Sequence, residues 1–354
     1  LKKTVVVGMS GGVDSSVAAY ILKEQGYNVI GLFMKNWQEG EECSAEQDFS
    51  DVSKVCSSLD IPYYTVNYSK EYFEKVFEFF LSEYKSGRTP NPDVLCNREI
   101  KFGNFLEHAL KIGADFVATG HYAKVEKING LYYLKKAADK NKDQSYFLNQ
   151  LNQQQLSKVI FPLCDILKPK VREIANKLNL STAAKKDSTG LCFIGERNFK
   201  EFLKNYIPVK KGKILTLENK CVGEHDGVMF YTIGQRKGLN IGGISGSSGR
   251  WFVVDKDVKN NILFVQQNEG GKLLSKSLIC ENFNFIPKIP ENLEFECFGK
   301  FRYREEDKKV LVKIENNKVY IEFKVLERAV TLGQYAVLYD NDYCLGGGVI
   351  VNKN

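Results

Sequence analysis

The chain has 354 residues, 43% of them hydrophobic and 26% charged, with a formal net charge of +7. At about 150 residues per domain this length predicts two or three globular domains with real cores, which excludes a disordered or fibrous chain. No window approaches the ~20 apolar residues of a membrane span, no export signal is visible, and the nine cysteines include no C-x-x-C pair; the sequence therefore suggests neither a disulfide framework nor a zinc site, and the cytoplasm is the expected compartment.

The charge is local. Residues 158–213 hold thirteen Lys and Arg against five Asp and Glu. Such runs are commonly solvated surface, and here the run, with Lys185 and Lys186, is also a candidate surface for nucleic-acid phosphates.

In chain order, Val5, Val6 and Val7 predict a buried strand that ends in the tight loop Ser10-Gly11-Gly12. A helix over residues 15–25 follows, with Val17, Ala18, Ile21 and Leu22 on one face and Gly26 ending it. Strand, glycine loop and helix N-terminus together suit a phosphate, because glycine admits close backbone approach and the helix offers unpaired N–H groups. The loop carries no lysine, so it is not a Walker loop, and G-x-G-x-x-G is absent. Ser-Gly-Gly-Val-Asp-Ser instead resembles the pyrophosphate loop of the ATP-pyrophosphatase superfamily, whose members cleave ATP between its α- and β-phosphates.

Residues 28–34 read as a second parallel strand, with the ligand expected at the strand C-terminal ends. An acidic loop over 39–51, a helix over 51–59, a strand over 62–66 and an aromatic-rich helix over 72–84 come next. Pro90 and Pro92 predict an extended, helix-free course for residues 87–98 that presents Asp93 and Cys96. Arg98 and Lys101 lie nearby in sequence, and cationic neighbours favour a thiolate. A helix over 102–110 leads to a strand at 115–122 that carries Gly120 and His121 to the same rim. Residues 131–134 suggest a hairpin, and 151–204 read as helical with interruptions at Pro162 and Pro169. Ser188, Thr189 and Gly190 break that pattern and place Cys192 on a second loop flanked by lysines and Arg197.

Beyond Pro208 the period becomes alternating. Strands are expected at 214–216, 230–233, 251–254 and 262–265, then at 294–304, 309–314, 319–325, 335–339 and 344–351, the last set closing a barrel of about six strands. The predicted architecture is α/β plus β. A doubly wound parallel sheet of the adenine nucleotide α-hydrolase type, with a helical extension, occupies 1–207; two small β-barrel-like domains occupy 208–270 and 271–354.

Six segments resemble, in order, the family of bacterial tRNA-specific 2-thiouridylases: residues 10–15, Asn91-Pro92-Asp93 with Cys96, residues 119–122, residues 142–147, residues 187–196 and residues 234–239. The resemblance implies that Gly8, Met9, Ser10, Gly11, Gly12, Val13, Asp14 and Ser15, with Met34 and Gly120, hold ATP. It implies that Asn91, Pro92 and Asp93 face the target uridine, and that Lys142, Asp143, Gln144, His121, Arg302, Tyr303 and Gln334 touch tRNA. Cys192 would carry a persulfide received from an upstream sulfur-relay protein, with Cys96 as its catalytic partner and Asp93 as acid or base.

The chemistry suits these residue types. The uracil C2 oxygen leaves poorly until it is adenylylated, after which sulfur can displace AMP. Mg²⁺ is expected only with the nucleotide. The wobble base must be flipped out of its stack, at a cost of a few kcal/mol. An ATP-dependent ligase sharing the loop, or a noncatalytic RNA-binding protein, remain the alternatives; the first needs no paired loop cysteines, and the second leaves the phosphate loop unexplained.

Overall fold

A computed structural model describes residues 2–37, 45–187, 198–241 and 249–354. Strand β1 (Thr4–Met9) forms where four β-branched residues follow one another. Val6 is buried in one core and Val5 and Val7 in another, the period-two pattern of a strand covered on both faces. Strands β2 (Asn28–Lys35), β3 (Tyr63–Asn67) and β4 (Phe116–Ala118) join it. A hairpin of β5 (Ala123–Ile128) and β6 (Leu131–Lys136) then leaves the sheet, and β7 (Val159–Ile160) returns to it, giving the all-parallel order β3-β2-β1-β4-β7. Helices α1 (Val13–Glu24), α2 (Ala45–Ser58) and Lys168–Lys177 cover one face; helical residues 69–85 and 92–111 cover the other. The chain leaves β1 toward β2 on one side and later enters β4 on the other, so the crevice of a doubly wound sheet opens at the C-terminal ends of these two strands.

Several local expectations are corrected. The acidic stretch does not stay a loop to residue 51: α2 begins at Ala45, with Glu46 and Asp48 in its first turn, where the helix dipole favours them. Residues 87–98 are not helix-free. Asn91 caps a helix by accepting a hydrogen bond from the Val94 N–H, and Pro92 occupies the opening turn, where its missing N–H costs nothing. Pro169 likewise opens the helix Lys168–Lys177 instead of interrupting one.

The central sheet is built from β8 (Gly212–Thr216), β9 (Cys221–His225), β10 (Trp251–Asp257) and β11 (Ile262–Gln267), in the order β10-β11-β8-β9. The strand expected at 230–233 is absent; Val228–Phe230 is a short 3-10 turn after Gly227, and the apolar alternation there reflects Phe230, Tyr231 and Ile233 filling the core. Strand β9, polar and glycine-containing, had no hydrophobic signal.

Strands β12 (Leu274–Phe285), β13 (Glu294–Lys300), β14 (Lys308–Glu315), β15 (Lys318–Arg328), β16 (Tyr335–Asp340) and β17 (Tyr343–Lys353) form the C-terminal barrel. Pairing of β12 with both β15 and β17 closes it. Asn316 and Asn317 both take positive φ at the β14–β15 turn, as a tight hairpin requires. The hairpin β5–β6 of the first domain adds to the barrel's β17 edge through Tyr343 opposite Lys135 and Cys344 opposite Leu134. Among the described residues no helix is long and apolar enough to cross a membrane.

Candidate active site

The loop after β1 is braced from within. The Ser15 hydroxyl accepts a hydrogen bond from the Ser10 N–H at 3.2 Å and donates to the Gly12 carbonyl at 3.1 Å. Gly11 takes φ +72°, and a Cβ there would lie 2.6 Å from the Asp48 carbonyl oxygen. Gly120, at the end of β4, packs on the start of α1: a Cβ would fall 2.8 Å from both the Asp14 carbonyl carbon and the Ser15 nitrogen. Gly8 faces Met34 and Phe105, each 3.4 Å from where its Cβ would stand. No side chain caps α1, so its first-turn N–H groups are available to an anion. Three glycines thus bring backbone and neighbouring elements into close approach at the C-terminal end of β1.

Charges converge on this loop from far along the chain. The Asp14 carboxylate receives the Tyr122 hydroxyl at 2.8 Å and the Lys168 ammonium at 2.7 Å on each oxygen. Burial and the adjoining Asp14 raise the Tyr122 hydroxyl far above its ordinary range, which keeps it a donor. Lys168 also pairs with Asp187 at 2.8 Å, and Asp187 takes Arg172 at 2.7 Å and Lys142 at 2.6 Å. Lys185 binds the Gly11 carbonyl, Asp48 and Asp51 at 3.0, 2.7 and 2.6 Å. The basic segment is therefore not one solvated RNA-facing surface: Lys168, Arg172 and Lys185 neutralise carboxylates at the Ser10–Ser15 loop and its surroundings.

Burial pushes the Asp187 carboxyl up, but hydrogen bonds from Lys142 and Lys168 outweigh it and hold the group down to about 2. A depressed folded-state value contributes stability above the unfolded value, about 3.9, that is lost as pH falls through about 2. Asp187→Asn should therefore lower stability at pH 7 and flatten its dependence between about pH 4 and 2. Urea unfolding across that range tests this, and an unchanged pH slope would refute it.

On the other face of the sheet, Cys96 lies at the start of a π-helical run, Cys96–Asn104, that continues into the helix Phe105–Lys111. The thiol's residue is 2% exposed and shares a core with Val6, Leu95 and Phe105. Arg98, expected beside the thiol, pairs with Glu99 at 2.7 Å. Asp93 is half-buried; burial raises its carboxyl above the ordinary range, with Lys101 partly offsetting this. His121 is buried against Phe102 and Phe161, with Nδ1 2.7 Å from the Thr119 hydroxyl. Burial and Lys101 lower it well below its usual value, so its ring is neutral at pH 7. Cys192, the other predicted thiol, lies outside the described residues.

The barrel reaches this loop directly. Gln334 Nε2 donates to the Thr89 and Pro90 carbonyls at 2.8 and 3.3 Å, and the Thr89 N–H donates to the Leu332 carbonyl at 2.9 Å. Arg302 donates to the Ala329 carbonyl at 2.6 Å and the Ile233 carbonyl at 3.4 Å, joining the central and C-terminal domains. Tyr303 packs on Phe147 with ring centroids 4.3 Å apart. Asp143 is buried and accepts from the Ala137 N–H and the Ser145 hydroxyl, while Gln144 Oε1 accepts from the Tyr122 N–H. Lys142 keeps 39% of its side chain exposed.

Three family descriptions match the chain consecutively: a tRNA methyl transferase HUP domain over residues 3–196, a tRNA methyl transferase PRC-barrel domain over 200–267 and an aminomethyltransferase beta-barrel domain over 275–350. The tRNA-specific 2-thiouridylase MnmA of Streptococcus thermophilus is 55% identical over 99% of this chain and 95% of its own. The proteins of the same name from Alkaliphilus oremlandii (55%; 98% and 96%) and Bacillus cereus (56%; 98% and 94%) are equally similar. The chain belongs to the tRNA-specific 2-thiouridylase family. Among solved structures, an NMN synthetase from Francisella tularensis is 20% identical, covers 56% of this chain and 72% of its own, and has a TM-score of 0.35, too distant to bear on fold or function.

Within that family's expected site residues, the structure gathers Gly8, residues 10–15, Met34 and Gly120 at one strand end, and it ties Gln334 to the loop before Asn91. Sequence reasoning missed Tyr122, Lys168 and Arg172 as members of the loop's surroundings. Tyr122 adjoins the quoted Gly120-His121 pair and was within reach of that signal. Lys168, 154 positions from Asp14, had none.

Proposed function

We propose that the protein carries out ATP-dependent 2-thiolation of the wobble uridine of tRNA. The uracil O2 attacks the α-phosphate of ATP held on the Ser10–Ser15 loop, pyrophosphate leaves, and sulfur derived from a persulfide on Cys192 displaces AMP. Cys96 closes the cycle by forming a disulfide with Cys192, and a reductant resets it. Asp93, with its carboxyl raised by burial, suits proton transfer at the base. The persulfide comes from an upstream sulfur-relay protein. Among the described residues no group of three or more His, Cys, Asp or Glu could hold a metal; magnesium would arrive on the phosphates, where it neutralises charge.

The observation that carries this reading is the braced phosphate loop with uncapped α1, linked through Gly8 and Phe105 to the helical run that bears Asp93 and Cys96. A noncatalytic RNA-binding protein has no use for it. The test is purified protein with ATP, tRNA and a sulfur source, followed by nucleoside analysis: tRNA-dependent pyrophosphate and 2-thiouridine are expected. Pyrophosphate exchange into ATP without tRNA, and no 2-thiouridine, would make the protein a ligase instead.

A further inference from the structure

The Lys168 ammonium lies between two carboxylates at the mouth of the phosphate loop, 2.7 Å from both Asp14 oxygens and 2.8 Å from Asp187, with 10% of its side chain exposed. Asp14 stands in the first turn of α1, where a bare carboxylate would repel a phosphate seated on the helix N-terminus. Lys168 cancels that charge. Its backbone is anchored independently, the N–H donating to Asp139 Oδ2 at 2.9 Å at the start of the helix Lys168–Lys177. The neighbouring cations are held differently: Lys185 is tied to a carbonyl and two carboxylates, and Arg172 to two carbonyls and a carboxylate. A lysine ammonium is a compact charge on a flexible stem with three donors, able to trade a carboxylate for a more highly charged phosphate without moving its backbone.

We infer that Lys168 is a further catalytic residue of this site, transferring one of its hydrogen bonds from Asp14 to the β-phosphate of ATP and stabilising the charge that develops on departing pyrophosphate. The inference rests on the adenylylation reading above. In that step the uracil O2 forms a bond to the α-phosphorus. The bond from that phosphorus to the oxygen bridging to the β-phosphate breaks, its electron pair stays on pyrophosphate, and the uracil N3 proton passes to the Asp93 carboxylate. Lys168 changes hydrogen-bond partner only and remains protonated.

The experiment is single-turnover formation of AMP-linked tRNA by wild type, Lys168→Met and Lys168→Arg. The nucleotides are ATP and its β,γ-CH₂, β,γ-CHF and β,γ-CF₂ analogues, whose leaving groups become progressively less basic along the methylene series. Lys168→Met should react about 10²-fold more slowly with ATP, the usual loss for one charge-stabilising donor. Its rate should depend more steeply than wild type on leaving-group basicity, with tRNA affinity within twofold of normal. Lys168→Arg should recover much of the rate and a near-normal slope. A loss of equal size with every analogue would make Lys168 a structural counter-ion to Asp14 and overturn the inference, as would a rate within threefold of wild type. Should Lys168→Met fail to fold, Lys168→Gln carries the test in its place: a steeper slope than wild type is expected, and a wild-type slope refutes the idea. If wild type itself forms no pyrophosphate from ATP and tRNA, the adenylylation reading fails, and this inference with it.

Discussion

Cys96→Ser should lower 2-thiouridine formation by at least about a thousandfold while ATP binding stays within twofold of normal. A serine hydroxyl is nearly isosteric with the thiol but a far weaker nucleophile toward a persulfide sulfur, and losing the nucleophile of a multi-residue apparatus typically removes most of its catalysis. The residue is 2% exposed in the core that also holds Val6, Leu95 and Phe105, so the added hydroxyl costs about 1–3 kcal/mol of stability at most. That cost is too small to account for the lost activity. The measurement is single-turnover thiolation, with a thermal melt to confirm folding. In wild type without reductant, mass spectrometry should find a peptide joining Cys96 and Cys192. Thiolated tRNA produced with no such crosslink, or by Cys96→Ser at a normal rate, would rule out the two-thiol route.

A comparable loss is expected at Gly120, by a wholly different cause. In Gly120→Ala the new methyl would sit 2.8 Å from the Asp14 carbonyl carbon and the Ser15 nitrogen, and 3.0 Å from the Asp14 Cβ. Two of these are backbone atoms, which cannot swing aside, so β4 and the start of α1 must separate. The phosphate loop is then displaced at the point where α1 presents its N–H groups, and a misplacement of about 1 Å can cost roughly 10² in rate. Overpacking costs a further 1–3 kcal/mol or so of stability. The predicted pattern is an ATP KM raised at least about a hundredfold with tRNA affinity largely retained, because the candidate tRNA contacts other than His121 lie on other elements. A variant with the wild-type ATP KM would show that β4 does not brace the loop.

The two substitutions probe opposite faces of one sheet. Val6 shares a core with Cys96, whereas Val5 and Val7 share one with α1; strand alternation in three successive valines therefore puts the glycine loop with α1 and the helical run bearing Cys96 on a common support. The barrel contributes from a third direction through Gln334, which fixes the carbonyls of Thr89 and Pro90 just ahead of Asn91.

Much of this was legible in the chain. The valine run, the glycine loop and the following apolar helix specify β1, the tight turn and α1 because each rests on neighbours in sequence: β-branching, absent side chains, helical period. Hairpins such as Asn316-Asn317 are legible for the same reason. Local signals misled where one residue has two uses. Pro92 reads as a helix breaker, yet it opens a helix once Asn91 caps it. The apolar alternation at 230–233 reads as a strand, yet it records burial beneath a neighbouring domain. The strand β12, whose apolar residues do not alternate regularly along its length, is made a strand by pairing on both edges.

What only the tertiary structure decided was the fate of the charges. Composition located a basic excess in residues 158–213, but not that Lys168 would meet Asp14, Arg172 meet Asp187, or Lys185 meet Asp48 and Asp51. Periodicity tells a side chain which face of its own element it occupies. The partner of a buried charge depends instead on how the whole chain folds back, because Coulomb attraction in a desolvated site acts between whichever groups the packing of apolar faces has brought within a few ångströms.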